Sequence, residues 1–124
     1  MGSIELKRSF ERILLGRKGE GLASKYLRKN GFRIIEANFS CHLGEIDLIA
    51  REKSELVFIE VRSLKSTIFD PLDSITARKQ AKLKKLAEFY TAKNDLEIDI
   101  RFDVIGINFT DNGHKITHIK NAFL

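Results

Sequence analysis

The sequence predicts a single α/β domain in which helices flank a mixed β-sheet. Two segments carry apolar residues at helical spacing, and the remaining segments alternate apolar with polar residues as strands do. One strand begins apolar on both faces, and such a sheet is usually covered by helices on each side. The predicted order is α-β-β-β-α-β-β, with helices at Ile13–Asn30 and Ser74–Lys93 and strands at Phe32–Asn38, Glu45–Arg51, Leu56–Arg62, Ile98–Phe109 and Lys115–Ile119.

Turn and cap signals set the limits of these elements. The first helix is expected to end at Asn30, because Gly31 is a typical residue directly after a helix. The polar run Glu52–Glu55 turns the second strand into the third and predicts a β-hairpin. Asp111–Gly113 is a tight-turn signal between the last two strands.

Length and composition indicate one domain and exclude several classes of protein. The 124 residues suffice for one domain, 1–124, in which residues 1–12 precede the first helix as an N-terminal extension. With 43% hydrophobic and 31% charged residues, a packed core is expected. The single cysteine, Cys41, excludes an internal disulfide and fits a cytoplasmic location. No stretch suits a membrane span or a signal peptide, so no membrane partner is expected.

The net charge of +5 favours a polyanionic partner such as nucleic acid, and much of this charge lies on one helix. Between Thr76 and Lys93 six basic residues stand against one acidic residue. A helical wheel places Arg78, Lys82 and Lys85 on one flank, which we expect to follow a phosphate backbone. The alternative is an ordinary solvated lysine face.

Lys79 lies on a different side of this helix, in line with Leu83, Leu86 and Tyr90. It should therefore point toward the strands, where a charged group usually has a carboxylate partner. The alternative is a side chain that buries its stem and extends its ammonium group to solvent.

The hairpin brings two acidic residues opposite each other. A turn through Glu52–Glu55 pairs Asp47 with Glu60 and Glu45 with Arg62. Two carboxylates whose Cβ atoms lie about 5 Å apart repel each other unless a cation or a shared proton lies between them. Oxygen ligands without neighbouring His or Cys suit Mg²⁺ or Mn²⁺. The alternative is a solvated edge on which Glu60 pairs with Arg62 or Arg51 and Asp47 caps a neighbouring turn. A register slip of one residue would also separate the carboxylates.

The alternating pattern surrounds this pair with apolar neighbours. It predicts that Ile46 and Leu48 share one face of the second strand and that Ile59 and Val61 share one face of the third. We therefore expect the pair at the end of a largely buried hairpin.

The first helix supplies a third acidic candidate, Glu20. Its spacing from Ala23 and Leu27 places it at the border of the buried stripe, so it can point toward the sheet. The alternative is a glutamate that the helix dipole favours near the helix start.

Five ordered motifs resemble a known family. An acidic residue on one strand followed by Glu and a basic residue on the next is similar to the PD-(D/E)xK nuclease superfamily. More narrowly, the chain resembles the YraN-like family of small bacterial proteins, which has a restriction-endonuclease-like fold. The resemblance runs over about Gly16–Phe123 and is carried by Gly16–Glu20, Gly44–Ala50, Val57–Val61, Arg101–Asp103 and Asn121–Phe123.

The resemblance implies a Mg²⁺- or Mn²⁺-dependent endonuclease that acts on DNA, including branched or single-stranded forms. It implies that Asp47 and Glu60 hold the ion and that Glu20 assists. Arg62, Lys65 or Lys79 would stabilise the charge that develops on the phosphate, and Lys65 would also contact nucleic acid.

Arg62 departs from the family pattern, which usually has Lys at this position. Guanidinium supplies a fixed charge but is a poor base, so catalysis follows less directly from the sequence than metal binding does. Two other functions stay open: a nucleic-acid-binding module that has lost hydrolysis, and a protein-interaction domain whose basic face meets an acidic protein. A homodimer also stays open, because an exposed sheet edge can pair with a second copy.

Other polar residues receive no chemical role from the sequence. The histidines His42, His114 and His118 have no ligand spacing and are expected to be structural or exposed. Arg101 and Asp103 share one strand face, which an internal ion pair explains as well as a functional role does.

Overall fold

The computed structural model describes residues 2–64 and 70–123 and confirms the predicted fold class, a mixed β-sheet flanked by helices. The elements follow the predicted order, with one short 3-10 helix added before the second long helix. Helices α1 and α2 span Gly2–Lys29 and Ala77–Lys93, the 3-10 helix spans Pro71–Ser74, and strands β1 to β5 span Arg33–Cys41, Gly44–Glu52, Glu55–Leu64, Asp99–Thr110 and Gly113–Phe123. Within the described residues, no helix is both long and apolar enough to cross a membrane.

The five strands form one sheet in the order β1-β2-β3-β4-β5. Strands β3 and β4 are parallel and have α2 between them in the chain, whereas the other neighbours are antiparallel. The β2–β3 hairpin has the predicted register, because Arg51 pairs with Leu56 and Leu48 pairs with Ile59. A slip of one residue would exchange the two faces, so this register decides which side chains each helix covers.

One helix covers each face of the sheet. On the first face, Leu27 of α1 packs in a cluster with Val57 and Ile59, and all three are almost fully buried. On the second face, Leu86 of α2 packs in a cluster with Phe58. Strand β3 is therefore buried on both sides, as its apolar start predicted.

Helix α1 is longer than the apolar pattern predicts. It begins at Gly2 rather than near Ile13. Its first part includes Leu6 and Phe10, which are mostly exposed. Because these side chains are not in the core, the spacing of core-facing residues did not signal this part of the helix.

Strand β5 is also longer than predicted, because it runs to Phe123 instead of ending at Ile119. Asn121 adopts a left-handed conformation with φ 51°, next to a register shift between β4 and β5. Beyond this irregularity Phe123 stacks on Phe102 at a centroid distance of 4.9 Å. The extra length therefore depends on a bulge, which alternation does not predict.

A buried polar network joins β4 to β5 and to the β2–β3 turn. Asp103 is 1% exposed and accepts two hydrogen bonds from Arg101, at 2.8 and 2.9 Å. It also bonds to His118 at 2.7 Å and accepts the N–H of Asn121 at 3.0 Å. Arg101 in turn bonds to Glu55 at 3.0 Å. The ion pair, which the sequence left open beside a functional role, is therefore present, and His118 belongs to the same buried network.

The same network fixes the charge of Asp103. Burial raises the pKa of this carboxyl group. Hydrogen bonds from His118, Arg101 and the Asn121 backbone together lower it by more, so the net pKa is below its usual value. A lowered pKa stabilises the fold above the pKa of the unfolded chain, and this stabilisation is lost as the pH falls through the folded-state pKa.

We predict that Asp103→Asn lowers the free energy of unfolding by about 3 kcal/mol at neutral pH, because it removes the most deeply buried of the carboxylates that pair with the buried Arg101. Urea unfolding measures this change. The control is Asp99→Asn, an exposed position on the same strand, which should change stability by less than about 0.5 kcal/mol. Equal stabilities for the two variants would contradict a structural role for the network.

Candidate functional site

The candidate site lies where the β2–β3 hairpin stops pairing. Backbone pairing between these strands is found up to Leu48 and Ile59, although both strands continue beyond it. The next residues are Asp47 and Glu60. Oδ2 of Asp47 accepts the N–H of Val61 at 2.8 Å, so a side chain continues the cross-strand contact. Asp47 and Glu60 therefore lie where the two strands separate, and we call this place the fork of the hairpin.

The predicted opposition of Glu45 and Arg62 is not found in the described β2–β3 ladder, which has ended before these positions. Glu45 pairs instead with Ser40 of β1, so the first residues of β2 follow β1 and leave β3. A register that is extrapolated from the turn assumes that the strands stay together, and this hairpin opens.

The alternation of faces also breaks at Asp47. The prediction that Ile46 shares a face with Leu48 is wrong, because Ile46 lies in the core against α2 whereas Leu48 lies in the core against α1. Phe39, the partner of Ile46 on β1, lies in the α2 core as well. Asp47 thus lies where the side chains of β2 change from one face of the sheet to the other. Groups from both helices can therefore approach it.

Glu60 is 7% exposed and lies beside two cations. Its Oε1 is 3.4 Å from a terminal nitrogen of Arg62 and 3.7 Å from Nζ of Lys79. Lys79 therefore points toward the strands, as its place on α2 predicted. Burial raises the pKa of Glu60 to about 7, with a further contribution from the charge of Asp47, even though both cations lower it.

Asp47 shares this environment. Burial raises its pKa above the usual value, while the N–H of Val61 and the charges of Lys79 and Arg62 lower it, and Glu45 raises it again. The two cations therefore do not fully offset the desolvation of the two carboxylates. An additional positive charge at the fork would be stabilised there.

Glu20 of α1 is electrostatically close to Asp47. Burial raises its pKa, followed by the charge of Asp47, while a hydrogen bond from the side chain of Asn38 lowers it. Gly19 allows this approach, because a Cβ atom at that position would overlap Oγ of Ser63 on β3. Helix α1 thus lies directly against the strand that carries Glu60.

The carboxylate oxygens of Asp47 and Glu60 are ligands that suit a hard divalent cation. No group of three or more His, Cys, Asp or Glu side chains in residues 2–64 and 70–123 is arranged as a ready metal site. Glu20 therefore lies near the pair without completing a three-ligand cluster. The contacts found for the pair use Oδ2 of Asp47 and Oε1 of Glu60. The buried carboxylate of Glu60 and the half-buried one of Asp47, both with raised pKa values, match the oxygen donors that Mg²⁺ and Mn²⁺ take.

The predicted phosphate-contacting flank is exposed. Arg78, Lys82 and Lys85 of α2 are all exposed to solvent. The stem of Lys82 lies against Gly44, where a Cβ atom would come within 2.6 Å of its Cε. Glycine at this position, with φ 137°, therefore makes room for the lysine beside the β1–β2 turn. Lys65 lies outside the described residues.

Sequence reasoning missed Asn38. The residue was expected only as the end of the first strand, but it has φ 54° and its side chain lowers the pKa of the Glu20 carboxyl group. Asparagine is uncommon inside strands and tolerates the left-handed conformation better than most residues. An asparagine within an apolar strand pattern was the available signal.

The fold and the fork together define a small α/β domain in which a mixed five-stranded sheet carries two carboxylates at a hairpin fork. Residues 19–107 match the sequence profile described as Uncharacterised protein family UPF0102, and the chain belongs to this family. This agrees with the resemblance to the YraN-like proteins. A UPF0102 protein of Thermodesulfovibrio yellowstonii is 47% identical over 90% of this chain and 97% of its own length. A UPF0102 protein of Desulforamulus reducens is 45% identical over 92% of this chain and 98% of its own.

One solved structure is similar at low identity. It is described as Pyrococcus furiosus SfsA in complex with Ca²⁺, and it aligns with a TM-score of 0.41 and 17% identity. The alignment covers 88% of this chain and 63% of SfsA. A similarity of this extent assigns no function.

We predict that Gly19→Ala destabilises the protein by about 1 to 3 kcal/mol, because the new methyl group overpacks the contact between α1 and β3. Ser63→Ala should recover part of this loss, since it removes the overlapping oxygen. Thermal unfolding measures both effects. Gly21→Ala is the matched control: nothing lies within 4 Å of its added Cβ, so it should be neutral or stabilise by up to about 1 kcal/mol. Equal effects at Gly19 and Gly21 would contradict the close contact.

We also predict that Glu60 makes the metal-free protein less stable as the pH rises. Its folded-state pKa of about 7 exceeds the ordinary value of 4.5, so the folded protein binds this proton more tightly than the unfolded chain does. The cost of ionisation is nearly absent below about pH 4, grows as the pH rises from 4.5 to about 7, and is fully present by about pH 8.

Melting curves in EDTA across this range test the effect. Relative to wild type, Glu60→Gln should be more stable at the alkaline end, and the difference should shrink toward the acid end. Glu88→Gln changes an exposed glutamate of α2 and serves as the control. Parallel curves for wild type and Glu60→Gln would show that Glu60 ionises normally.

Proposed function

We propose that this protein is a Mg²⁺- or Mn²⁺-dependent endonuclease that hydrolyses phosphodiester bonds in DNA. One observation carries the proposal: a buried carboxylate, Glu60, and a half-buried one, Asp47, converge at the fork of the β2–β3 hairpin, with two cationic side chains beside them. Such a site combines ligands for a hard cation with positive groups that suit a phosphate. The resemblance to PD-(D/E)xK nucleases agrees with this chemistry.

Asp47 and Glu60 would hold the ion, and Glu20 would add a third negative charge from α1. When bound, the ion would supply Lewis-acid activation of the phosphate and of the attacking water. The carboxylates keep their positions through the Val61 N–H and the Lys79 ammonium group. Both contacts come from the protein itself, so the ligand pair is held before any cation arrives.

Lys79 and Arg62 are the groups that would stabilise negative charge on the phosphate. Each lies beside Glu60 on the same oxygen. Nε of Arg62 is buried and has no hydrogen-bond partner within the described part of the chain. A buried donor without an acceptor is unfavourable, and a phosphate oxygen is an acceptor that suits guanidinium. This donor supports a phosphate-binding role for Arg62.

The exposed flank of α2 would carry the DNA backbone toward the fork. Arg78, Lys82 and Lys85 lie on the same helix as Lys79, which reaches Glu60. Contacts of this kind recognise phosphates and not bases, so they fit binding with little sequence preference. The preference for branched or single-stranded DNA is part of the proposal and follows from the family resemblance.

A second candidate is a nucleic-acid-binding module with the same fold and no hydrolysis. Arg62 favours it, because guanidinium cannot act as the base that a lysine in its place can provide. A protein-interaction domain is the third candidate, and in that case the basic flank would meet an acidic protein.

We predict metal-dependent cleavage of DNA that requires the carboxylate pair. Single-turnover assays with labelled duplex, single-stranded and four-way-junction DNA, in Mg²⁺ and in Mn²⁺, measure the rate. Asp47→Asn and Glu60→Gln should each slow cleavage by at least about 100-fold, because each removes an ion ligand. Glu88→Gln is the matched control on α2 and should cleave normally.

Ion binding is checked separately by melting. Millimolar Mn²⁺ should raise the melting temperature of wild type, and Asp47→Asn should abolish the rise. A wild-type protein that neither cleaves nor gains stability with either ion contradicts the proposal. DNA binding without cleavage would favour the binding module.

We further predict that DNA affinity depends on the α2 flank. Replacing Arg78, Lys82 and Lys85 together by Gln should weaken binding alike for different base sequences. It should also reduce the slope of log affinity against log salt by about 3 for duplex DNA, since about one counterion is released per phosphate contact. Fluorescence anisotropy across a salt series measures both effects.

The control for this prediction removes the same number of charges from another helix. Lys25, Arg28 and Lys29 of α1 are exposed, and their replacement by Gln should leave the salt slope nearly unchanged. Equal losses in the two triple variants would mean that net charge, and not the α2 flank, determines binding.

A further inference from the structure

The first part of α1 carries a row of apolar side chains that the sheet does not cover. Its members are 47 to 72% exposed, and they are Leu6, Phe10, Ile13 and Leu14. At 3.6 residues per turn, the other three lie within about 60° of Phe10 around the helix axis. We call these four residues the α1 stripe. Apolar residues at this spacing form the kind of helix face that packs against another element.

The α1 stripe points away from the sheet of its own chain. Gly19 faces β3, because a Cβ atom at this position would overlap the side chain of Ser63. Phe10 precedes Gly19 by nine residues and therefore lies about 180° from it around the helix axis. Since the sheet lies on the Gly19 side, it cannot cover the stripe. A second molecule has to do so.

The stability of the helix also requires such a cover. Residues 4–8 and 10–14 are all exposed, so this part of α1 gains little from packing on its own domain. Isolated helices shorter than about 12 to 15 residues are marginal in water, and most helices in proteins are stabilised by the packing of an apolar face. The α1 stripe is the apolar face that this part of the helix offers.

A pocket of about 470 Å³ opens between α1 and the β4–β5 turn, and we call it the α1 pocket. Its lining includes Leu14, Leu15, Phe109, Glu11 and Asp111. Lys18 also lines the pocket, and its Nζ lies 5.3 Å from the centre of the Phe109 ring. Leu14 belongs both to the stripe and to the pocket, so the two surfaces are continuous.

We propose that two copies of this chain form a two-fold dimer in which the α1 stripe of each copy packs against the α1 pocket of the other. A two-fold interface needs both complementary parts on one chain, and the stripe and the pocket meet this requirement. Leu14 belongs to both parts and therefore lies near the two-fold axis. This inference does not rest on the proposed function.

The size of the two surfaces favours a second copy. The four side chains of the stripe expose apolar area on the order of 400 Å², which is similar to the largest apolar patch of a typical monomer. Two stripes alone would bury about 800 Å², whereas a specific interface buries about 1,200 Å² or more. The two pockets have to supply the difference, and this is why the stripe packs against the pocket and not only against the other stripe.

The charges at the borders of the two surfaces are complementary. Lys7 and Arg17 are exposed on the same side of α1 as Phe10. The pocket carries the carboxylates of Glu11 and Asp111. In the dimer, the cations beside each stripe approach the acidic groups of the partner's pocket, and this arrangement selects against other orientations.

Sedimentation equilibrium of the full chain in EDTA, across the micromolar range, tests the dimer. The mass of wild type should rise from monomer to dimer with concentration, and the helix content from circular dichroism should rise in parallel. Leu6→Ser combined with Phe10→Ser should raise the dimer Kd by at least about 100-fold, because each side chain is lost twice from a two-fold interface. Both positions are exposed in the monomer, so the monomer should still fold.

The matched control removes two exposed apolar side chains at other places. Ile35 and Leu96 are 45% and 40% exposed, and Ile35→Ser combined with Leu96→Ser should dimerise as wild type does. Ile35 lies on β1, an edge strand, so this control also tests pairing between sheet edges. Equal weakening in the two double variants would overturn the proposal. A wild type that stays monomeric but binds vesicles of phosphatidylglycerol through Leu6 and Phe10 would overturn it as well, because the occupant would then be a lipid surface.

A chemical cross-link tests the position of the two-fold axis. In a Cys41→Ser background, Leu14→Cys should be joined to its own copy in the partner by a short bismaleimide. Ile35→Cys in the same background should give no covalent dimer. Dimers that form without a cross-link at Leu14→Cys would contradict the packing of the stripe against the pocket.

Discussion

The structure around the fork depends on the cost of desolvating two carboxylates, because Glu60 is buried and Asp47 is half-buried. Burial raises the pKa of both groups, and the charge of Asp47 raises the pKa of Glu60 further. The protein offsets part of this cost with one backbone N–H and two cations. The rest of the desolvation cost remains with the ionised carboxylates. A site in this state favours a cation or protons over the bare carboxylates.

At the other end of the hairpin, a separate set of buried contacts holds the strands together. There Asp103, Arg101 and His118 form a buried network that joins β4 and β5 to the turn between β2 and β3. This network satisfies its own charges, whereas the fork does not. Because the turn end is fixed by matched ion pairs, β2 can leave β3 at the fork and follow β1 without loss of register in the sheet. The pKa of Asp103 in this network is thus lowered, whereas the pKa values of Asp47 and Glu60 at the fork are raised.

The sequence predicted the order of elements, both cores and the pairing of β2 with β3, because each rests on a local repeat or on a tight turn. Asp47 and Glu60 were predicted together for the same reason. Alternation failed at Ile46, because β2 turns over at Asp47 and places Ile46 in the α2 core. On β1 the left-handed Asn38 precedes Phe39, which also lies in the α2 core. Alternation assumes a regular backbone, so it does not show such a reversal. The sequence also did not predict the contact between Gly19 and Ser63. It depends on the distance between a helix and a strand, and no spacing within one element reports that distance.

The same geometry bears on the lysine that the family usually has after its second acidic residue. In this chain Arg62 takes that place on β3, and Lys79 approaches the same Glu60 oxygen from α2. A lysine at the family's position would reach Glu60 from strand β3. Lys79 brings the same ammonium group to Glu60 from helix α2. In the proposed function Arg62 would supply a fixed positive charge to the phosphate, and Lys79 would supply a second cation from α2. The departure from the family pattern therefore still leaves two cations beside Glu60.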